Sequence, residues 1–279
     1  MAQTIPHIAV LITCYNRKQK TIKCLDFLFR QNELNTAFTV EVFLVDDGST
    51  DGTDDAVRST FPAVNIIKGS GSLYWNRGMH LAWQQAKATK SFDYYLWLND
   101  DTDIKPGAVI EMLACTVIKN NNAIVCGAIC SEITGAFTYG GRDKNGRELL
   151  PDGTLQFCYT INGNCVMVSS KVCEGTGILD PIYPHAIGDY EYGLRALQNG
   201  FEIVTTRVFI GFCERNASLP AWCYNTVPFP KRIKALYSPL GNAHPYYFFI
   251  FERKYYGWLQ AVKHYLSIHL RVLIPALWK

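Results

Sequence analysis

Val40-Glu41-Val42-Phe43-Leu44-Val45-Asp46-Asp47-Gly48-Ser49-Thr50-Asp51-Gly52-Thr53 is the stretch on which the fold turns. Its first six residues are mostly apolar and β-branched, the signature of a buried strand. The remainder is acids, glycines and hydroxyl residues, which suit a turn capping the next helix. The same texture flanks it. His7 to Cys14 (HIAVLITC) reads as a preceding strand, and Thr21 to Gln31 follows with helical spacing at Ile22, Leu25, Leu28 and Phe29. Thr53 to Phe61 is a short helix, Val64 to Ile67 a third strand and Leu73 to Ala88 a helix. Tyr94 to Leu98 (YYLWL) is a fourth strand that ends in Asn99-Asp100-Asp101. Pro106 to Lys119 then reads as a helix with Pro in its first turn, and Ala123 to Ile129 as another strand. Strands alternating with helices predict βαβ units and a parallel sheet in an α/β fold. In such sheets ligands bind beyond the carboxyl ends of the strands, where both acidic clusters fall.

Beyond about residue 135 the texture changes. Phe137 to Phe157 suits irregular hairpins, Gly163 to Ser169 a strand, Tyr190 to Asn199 a helix and Phe201 to Thr205 a returning strand. Residues 215–245 read as loop, with Pro220, Pro228, Pro230, Pro239 and Pro245. From Tyr246 onward a long helix is expected, with Leu259, Val262, Leu266, Leu270, Leu273 and Leu277 in one stripe.

Composition bounds the function. With 279 residues, 48% hydrophobic and 18% charged, the chain is long enough for a large core, and disordered or collagenous classes are excluded. No apolar run reaches the length of about 18 residues needed to span a membrane, and Met1 to His7 lacks the layout of a signal peptide. The ten cysteines form no CxxC pair, so reduced, buried thiols in a cytosolic protein are expected rather than zinc or disulfide frameworks. The net charge of +3 hides an asymmetry: residues 217–279 carry eight Lys or Arg against one acid, Glu252, so the rest of the chain is net acidic. A basic tail on an acidic body points to an anionic partner for the tail. Its cations do not line an aromatic groove, which argues against nucleic acid.

Three acidic groups carry the chemistry. Asp46 and Asp47 suit hydrogen bonds to a sugar hydroxyl pair or a base edge, or an acidic turn that caps a helix. Asn99, Asp100, Asp101 and Asp103 concentrate charge that a divalent cation would bridge, unless they form a solvated loop. Gly188-Asp189-Tyr190-Glu191 opens a helix, where acids ordinarily complement the dipole. Asp189 gains a role only if it faces the other two groups.

Four segments together resemble family 2 glycosyltransferases. Ile12-Thr13-Cys14-Tyr15-Asn16-Arg17 with Val45 to Thr53 is similar to that family's opening, and Asn76-Arg77-Gly78 to its Arg-Asn-x-Gly helix start, although Trp75 stands where Arg is usual. LWLNDDTDIKPGAV resembles its metal-binding Asp-x-Asp segment, with Asn99 first and Asp101 last, a variant like that of rhamnosyltransferase-like members. GDYEYGLRALQNGF resembles the Glu-Asp helix that carries the base, with Gly188 in place of Glu. The resemblance implies a GT-A fold: a Rossmann-like, mostly parallel central sheet flanked by helices, with a C-terminal helical extension. It implies a catalytic domain over 1–215, divided into a nucleotide-sugar half (1–130) and an acceptor half (131–215), followed by a loop and a basic amphipathic region over 216–279.

The implied activity is inverting transfer from a dTDP- or UDP-linked sugar to a saccharide or lipid-linked acceptor, in bacterial cell-surface polysaccharide synthesis. By matching position, Thr13, Tyr15, Arg17, Asp46, Asp47, Asn76, Arg77, Asn99 and Asp100 would bind the donor, Asp101 would hold Mg2+ or Mn2+, and Asp189 would be the base. Many members carry a metal- or phosphate-binding His after the following strand, where this chain has Gly211-Phe212-Cys213-Glu214-Arg215. Either Glu214 or Arg215 substitutes, or the metal is held mainly by Asp101 and the donor. Glu191 and Trp222 are acceptor-side candidates, whereas Trp83 and Trp97 fall on core-facing positions. The basic helix beyond residue 246 would pack on the body or in a homodimer, or lie in the plane of a membrane, at the inner, cytoplasmic face of the cell membrane. Two other classes compete: a non-catalytic nucleotide-sugar or glycan-binding module, and a sugar nucleotidyltransferase. The latter would carry a Gly-rich loop after the first strand, where Cys14-Tyr15-Asn16-Arg17 has no Gly.

Overall fold

The apolar runs fold as buried central strands in the computed structural model, which describes residues 5–215, 219–241 and 243–277. Met1 to Thr4 and Lys279 of the basic tail lie outside the described residues. The first part runs β1 (His7–Cys14), α1 (Lys18–Phe29), β2 (Thr39–Asp46), α2 (Thr53–Thr60), β3 (Asn65–Lys68), α3 (Tyr74–Thr89), β4 (Tyr94–Leu98), β5 (Asp103–Ile104), α4 (Ala108–Ile118) and β6 (Ala123–Cys130). Then come β7 (Phe137–Tyr139), β8 (Cys165–Ser169), α5 (Ser170–Thr176), α6 (Gly188–Gln198) and β9 (Glu202–Phe212). The C-terminal part holds α7 (Phe229–Leu236), α8 (Pro245–Tyr256) and α9 (Trp258–Leu273), with single 3-10 turns at Ala221–Cys223 and Pro275–Leu277.

The strands form one sheet in the order β3-β2-β1-β4-β8-β6-β9-β5, with β7 on β6. The pairs β1–β2, β1–β4, β2–β3 and β6–β9 are parallel. β8 enters antiparallel between β4 and β6, so a strand from beyond residue 131 is inserted between two strands of the first 130 residues. Period-two alternation gives each strand two apolar faces. Ile8, Val10 and Ile12 pack under α1 and α4 with Leu25, Leu28 and Met112, while Ala9 and Leu11 pack on the other side with Met79 and Trp83 of α3 and Tyr192 of α6. Trp83 and Trp97 are fully buried in that second layer, as expected of core positions. All ten cysteines are free and buried.

The C-terminal part departs from expectation in two places. The region read as loop contains α7, because Pro228 and Pro230 fix a helix start rather than prevent a helix. The single long helix is two. Gly257, at φ 88°, adopts a left-handed conformation that ends α8 and starts α9.

Candidate active site

Parallel β1, β2 and β4 deliver Cys14, Asp46 and Leu98 to the same edge of the sheet. Antiparallel β8 begins at that edge, where the Asn99 N–H donates to the carbonyl of Asn164 at 2.9 Å. A cleft of about 1490 Å³ opens there, lined among others by Thr13, Tyr15, Arg17, Asp47, Asn99, Asp100, Asp101 and Asp189. The three acidic groups therefore share one cavity although they are distant in sequence. Backbone conformations disfavoured for side-chain-bearing residues cluster at its rim: Asn16 (φ 51°), Tyr74 (φ 59°) and the β-branched Ile187 (φ 77°).

Asp47 organises the turn after β2. Its carboxylate accepts the N–H groups of Gly71 at 2.8 Å, Leu73 at 2.8 Å and Tyr74 at 3.0 Å, tying the start of α3 to the end of β2. Gly69 is required there, since a Cβ on it would lie 2.6 Å from Asp47 Oδ1. Asp46 is deeper and fully buried. Its Oδ1 accepts the Ser49 N–H at 2.9 Å, and its Oδ2 has no hydrogen-bond partner among the described residues. Tyr15 projects a half-exposed ring at the cleft.

The acid cluster after β4 faces matching cations. Arg17 Nη1 donates to Asp100 at 3.0 Å and to Asp101 at 2.9 Å. Lys20 lies 3.7 Å from Asp101, and Lys23 pairs with Asp103 at 2.5 Å. Burial pushes the carboxyl of Asp100 up to about 6 despite the guanidinium beside it. Asn99 Oδ1 accepts the indole N–H of Trp75 at 2.7 Å, so the Trp that stands where Arg is usual fixes the first position of this segment. Gly163 leaves room for that indole, which would lie 2.4 Å from a Cβ on it.

Asp189 sits at the first turn of α6. Its Oδ2 accepts the Gly163 N–H at 3.0 Å and its Oδ1 accepts its neighbour Tyr190 N–H at 2.9 Å. Burial pushes its carboxyl up to about 6, against those hydrogen bonds. A carboxyl tuned toward neutrality and open to a polar cleft is suited to taking a proton.

Four sequence-expected residues lie elsewhere. Asn76 is fully buried, and its amide donates to the carbonyls of Asp180 at 2.8 Å and Tyr183 at 2.7 Å. Arg77 donates to the carbonyl of Pro181 at 2.8 Å. Neither lines the cleft. They hold the loop that leads to α6. That packing also explains why Gly occupies 188: a Cβ there would lie 1.9 Å from Asn76 Oδ1. Glu191 is fully buried and bound by Arg195 at 2.9 Å, Lys254 at 2.7 Å and the Tyr255 hydroxyl at 2.8 Å, which fastens α8 to α6 instead of facing an acceptor. Trp222 is 2% exposed and packs with Leu236 and Val272, because its loop is covered by α7 and α9.

Other residues at the cleft carried no signal in the sequence. His185 lines it, near enough for its Nδ1 to meet the Trp75 N–H at 3.4 Å, and burial holds its imidazole below the ordinary value. Arg142, Tyr190, Phe248, Phe251 and Tyr256 also line it, so the C-terminal region shares in the cavity. Glu214 accepts from Ser131 Oγ at 3.0 Å, and Arg215 pairs with Glu148 at 2.7 Å. From the 211–215 stretch it is Cys213 that lies against Asp101, with Sγ 4.0 Å from Oδ1 and its thiol pushed up to about 12 by burial and that carboxylate.

A hard divalent cation takes one or two carboxylates and fills its remaining positions with water and substrate phosphates. Asp101 lines the cleft and fits that pattern. No group of three metal-ligating side chains occurs among the described residues.

Solved structures of similar fold are glycosyltransferases. One is mannosyltransferase PcManGT from Pyrobaculum calidifontis, solved in complex with GDP-Man and Mn2+: 14% identity, 98% of this chain, 76% of that chain and TM-score 0.59. Another is S. aureus TarS residues 1–349 in complex with UDP-GlcNAc: 15% identity, 94% of this chain, 81% of that chain and TM-score 0.57. A third is GalNAc-T7 with UDP, GalNAc and Mn2+: 11% identity, 84% of this chain but 48% of that chain, and TM-score 0.61. No curated protein matches the chain by sequence. Residues 9–172 match the pattern of glycosyl transferase family 2. They span β1 to the start of α5 and include the acidic clusters after β2 and β4, so the chain belongs to glycosyl transferase family 2 and has its mixed α/β fold.

Proposed function

We propose that this glycosyltransferase is inverting, moving a sugar from a dTDP- or UDP-linked donor to a hydroxyl of a saccharide or lipid-linked saccharide in bacterial cell-surface polysaccharide synthesis. The observation that carries the reading is Asp189: a buried carboxyl held near 6, in the same cleft as Asp47 and the Asp100–Asp101 pair. The fold's likeness to structures solved with GDP-Man and Mn2+ or with UDP-GlcNAc supports a nucleotide-sugar donor.

The nucleoside lies between Tyr15, Thr13 and Asp47, with the ring of Tyr15 free to stack on a base. The diphosphate faces Asp101, Arg17 and Lys20. A divalent cation on Asp101, Mg2+ or Mn2+, would offset charge developing on the leaving diphosphate. Asp189 takes the proton of the acceptor hydroxyl as that oxygen bonds to the anomeric carbon, and the bond from that carbon to the diphosphate breaks. One displacement inverts the centre, and no second carboxylate is needed at that carbon. Arg142, Tyr190 and the aromatic residues of α8 form the acceptor end.

The test is a panel of nucleotide sugars incubated with saccharide acceptors and Mn2+, with the product's anomeric configuration read by NMR. One donor is expected to give an inverted product, and excess chelator to abolish it reversibly. A retained configuration, or binding of nucleotide sugars without turnover on any acceptor, overturns the reading.

A further inference from the structure

The outer face of α9 is apolar where a soluble surface would be polar. Trp258, Leu259, Val262, Leu266, Leu270 and Leu273 are 42–90% exposed, with Leu259 at 90%. At 100° per residue they occupy one continuous arc of about 120°. The opposite face is already used, since Ala261 and Val272 are buried and Val272 packs with Trp222 and Leu236. The helix therefore has two apolar sides and the fold covers only one. A continuous exposed stripe of this kind marks an interaction surface.

Charge identifies the occupant. From residue 219 to 277 the only acid is Glu252, which is buried and paired with His264. Every other charged side chain there is Lys or Arg. On the α8–α9 hairpin, Lys263 lies exposed beside the stripe, and the Arg253 guanidinium sits 5.3 Å from the Trp258 ring centre. A second copy of this face would bring cation against cation. An anionic lipid surface meets both features: acyl chains take the leucines, headgroups take the cations, and aromatic residues such as Trp258 and Tyr256 suit the boundary. No helix among the described residues is long and apolar enough to cross a membrane, so α9 would lie in the surface.

We propose that α9 docks this protein on an anionic membrane, with its leucine stripe in the outer acyl layer. α8, the other arm of the same hairpin, carries Phe248, Phe251 and Tyr256 in the wall of the cleft. Docking through α9 thus brings the acceptor end of the cleft to the lipid surface. The docking rests on this surface alone and stands whichever donor is used.

The test is flotation of the full-length protein with vesicles of phosphatidylcholine containing 30 mol% phosphatidylglycerol, against vesicles of phosphatidylcholine alone. The protein is expected to float with the anionic vesicles and to lose at least about tenfold of that partitioning in the triple variant Leu259→Glu, Leu266→Glu, Leu270→Glu. Added NaCl at 0.5 M should weaken it, since screening acts on the headgroup contacts. These side chains are half-exposed or more, and an unchanged melting temperature verifies that the variant is folded. Three results overturn the proposal: no flotation of the wild type, equal flotation of the folded variant, or a concentration-dependent dimer that the variant dissolves without any vesicle binding.

Discussion

Replacing Asp189 by Asn separates catalysis from stability, with opposite signs. Burial raises this carboxyl from 3.8 to about 6. Each unit is worth 1.36 kcal/mol, so keeping the group ionised at pH 8 costs the fold ~3 kcal/mol. Asn removes that cost. It keeps one acceptor oxygen for the two N–H donors of Gly163 and Tyr190, and losing the second bond costs about 1 kcal/mol. The variant is therefore expected to be more stable than the wild type by ~2 kcal/mol at pH 8, while transfer falls by about 10²- to 10⁴-fold. The sign of the pH dependence follows from proton counting. Between about pH 4 and 6 the folded wild type binds more protons than the unfolded chain, so its stability falls as pH rises relative to the variant. The gap is then absent near pH 4 and fully open above pH 6. Urea unfolding of both proteins at pH 4, 6 and 8, beside initial rates at pH 8, measures both effects. Asp100 is also held at about 6, so the stability difference, rather than an acid limb in the rate, isolates Asp189. A variant less stable than wild type at pH 8, or one that still turns over normally, would refute the reasoning.

Three further outcomes test the corrected residues. Gly188→Ala forces a Cβ against the buried amide of Asn76 and is expected to destabilise by about 1–3 kcal/mol in denaturant titration, with activity falling as the loop before Asp189 shifts. Glu191→Gln leaves Arg195 and Lys254 without their shared carboxylate. A loss of about 3 kcal/mol is expected, at the lower end for a broken buried pair because Lys254 is half-exposed, and a melting temperature unchanged at pH 7 would contradict the assignment. Trp222→Ala empties a buried site and is expected to destabilise by about 3–5 kcal/mol in urea titration, while the KM for acceptor stays within twofold in the folded fraction.

What the sequence made legible follows from the range of the interactions involved. β1 and β4 begin and end as read because continuous apolar runs bounded by polar turns need only local pattern. The strand-end placement of Asp47 and Asp101 follows from a parallel sheet, and Trp83 and Trp97 from period and position. Asn76 and Glu191 were misplaced because their partners are remote: Asp180 and Tyr183 for the first, Lys254 and Tyr255 for the second. A buried polar side chain bound to distant groups looks, in sequence, the same as one aimed at a ligand. His185 sits in an irregular loop and gave no periodic signal. Trp222 in a Pro-rich loop was read as an acceptor-side candidate, since nothing local announces that α7 and α9 cover it. Gly257 was visible in the sequence, but its left-handed φ decides that the helix breaks.

The antiparallel insertion of β8 has a mechanical consequence. Residues 94–98 pair with 165–169 in the middle of the sheet, and β6 continues the same ladder on the other side of β8. Opening the cleft by swinging one half away would break main-chain hydrogen bonds in the middle of a sheet, so the walls cannot behave as jaws. Adjustment to successive substrates falls to the loops at the strand ends and to α8. Their movements are fast and small compared with a domain rotation. The distance between the ends of β2 and β4, which Asp47 and Asn99 follow, is in this sense a fixed gauge set by strand spacing.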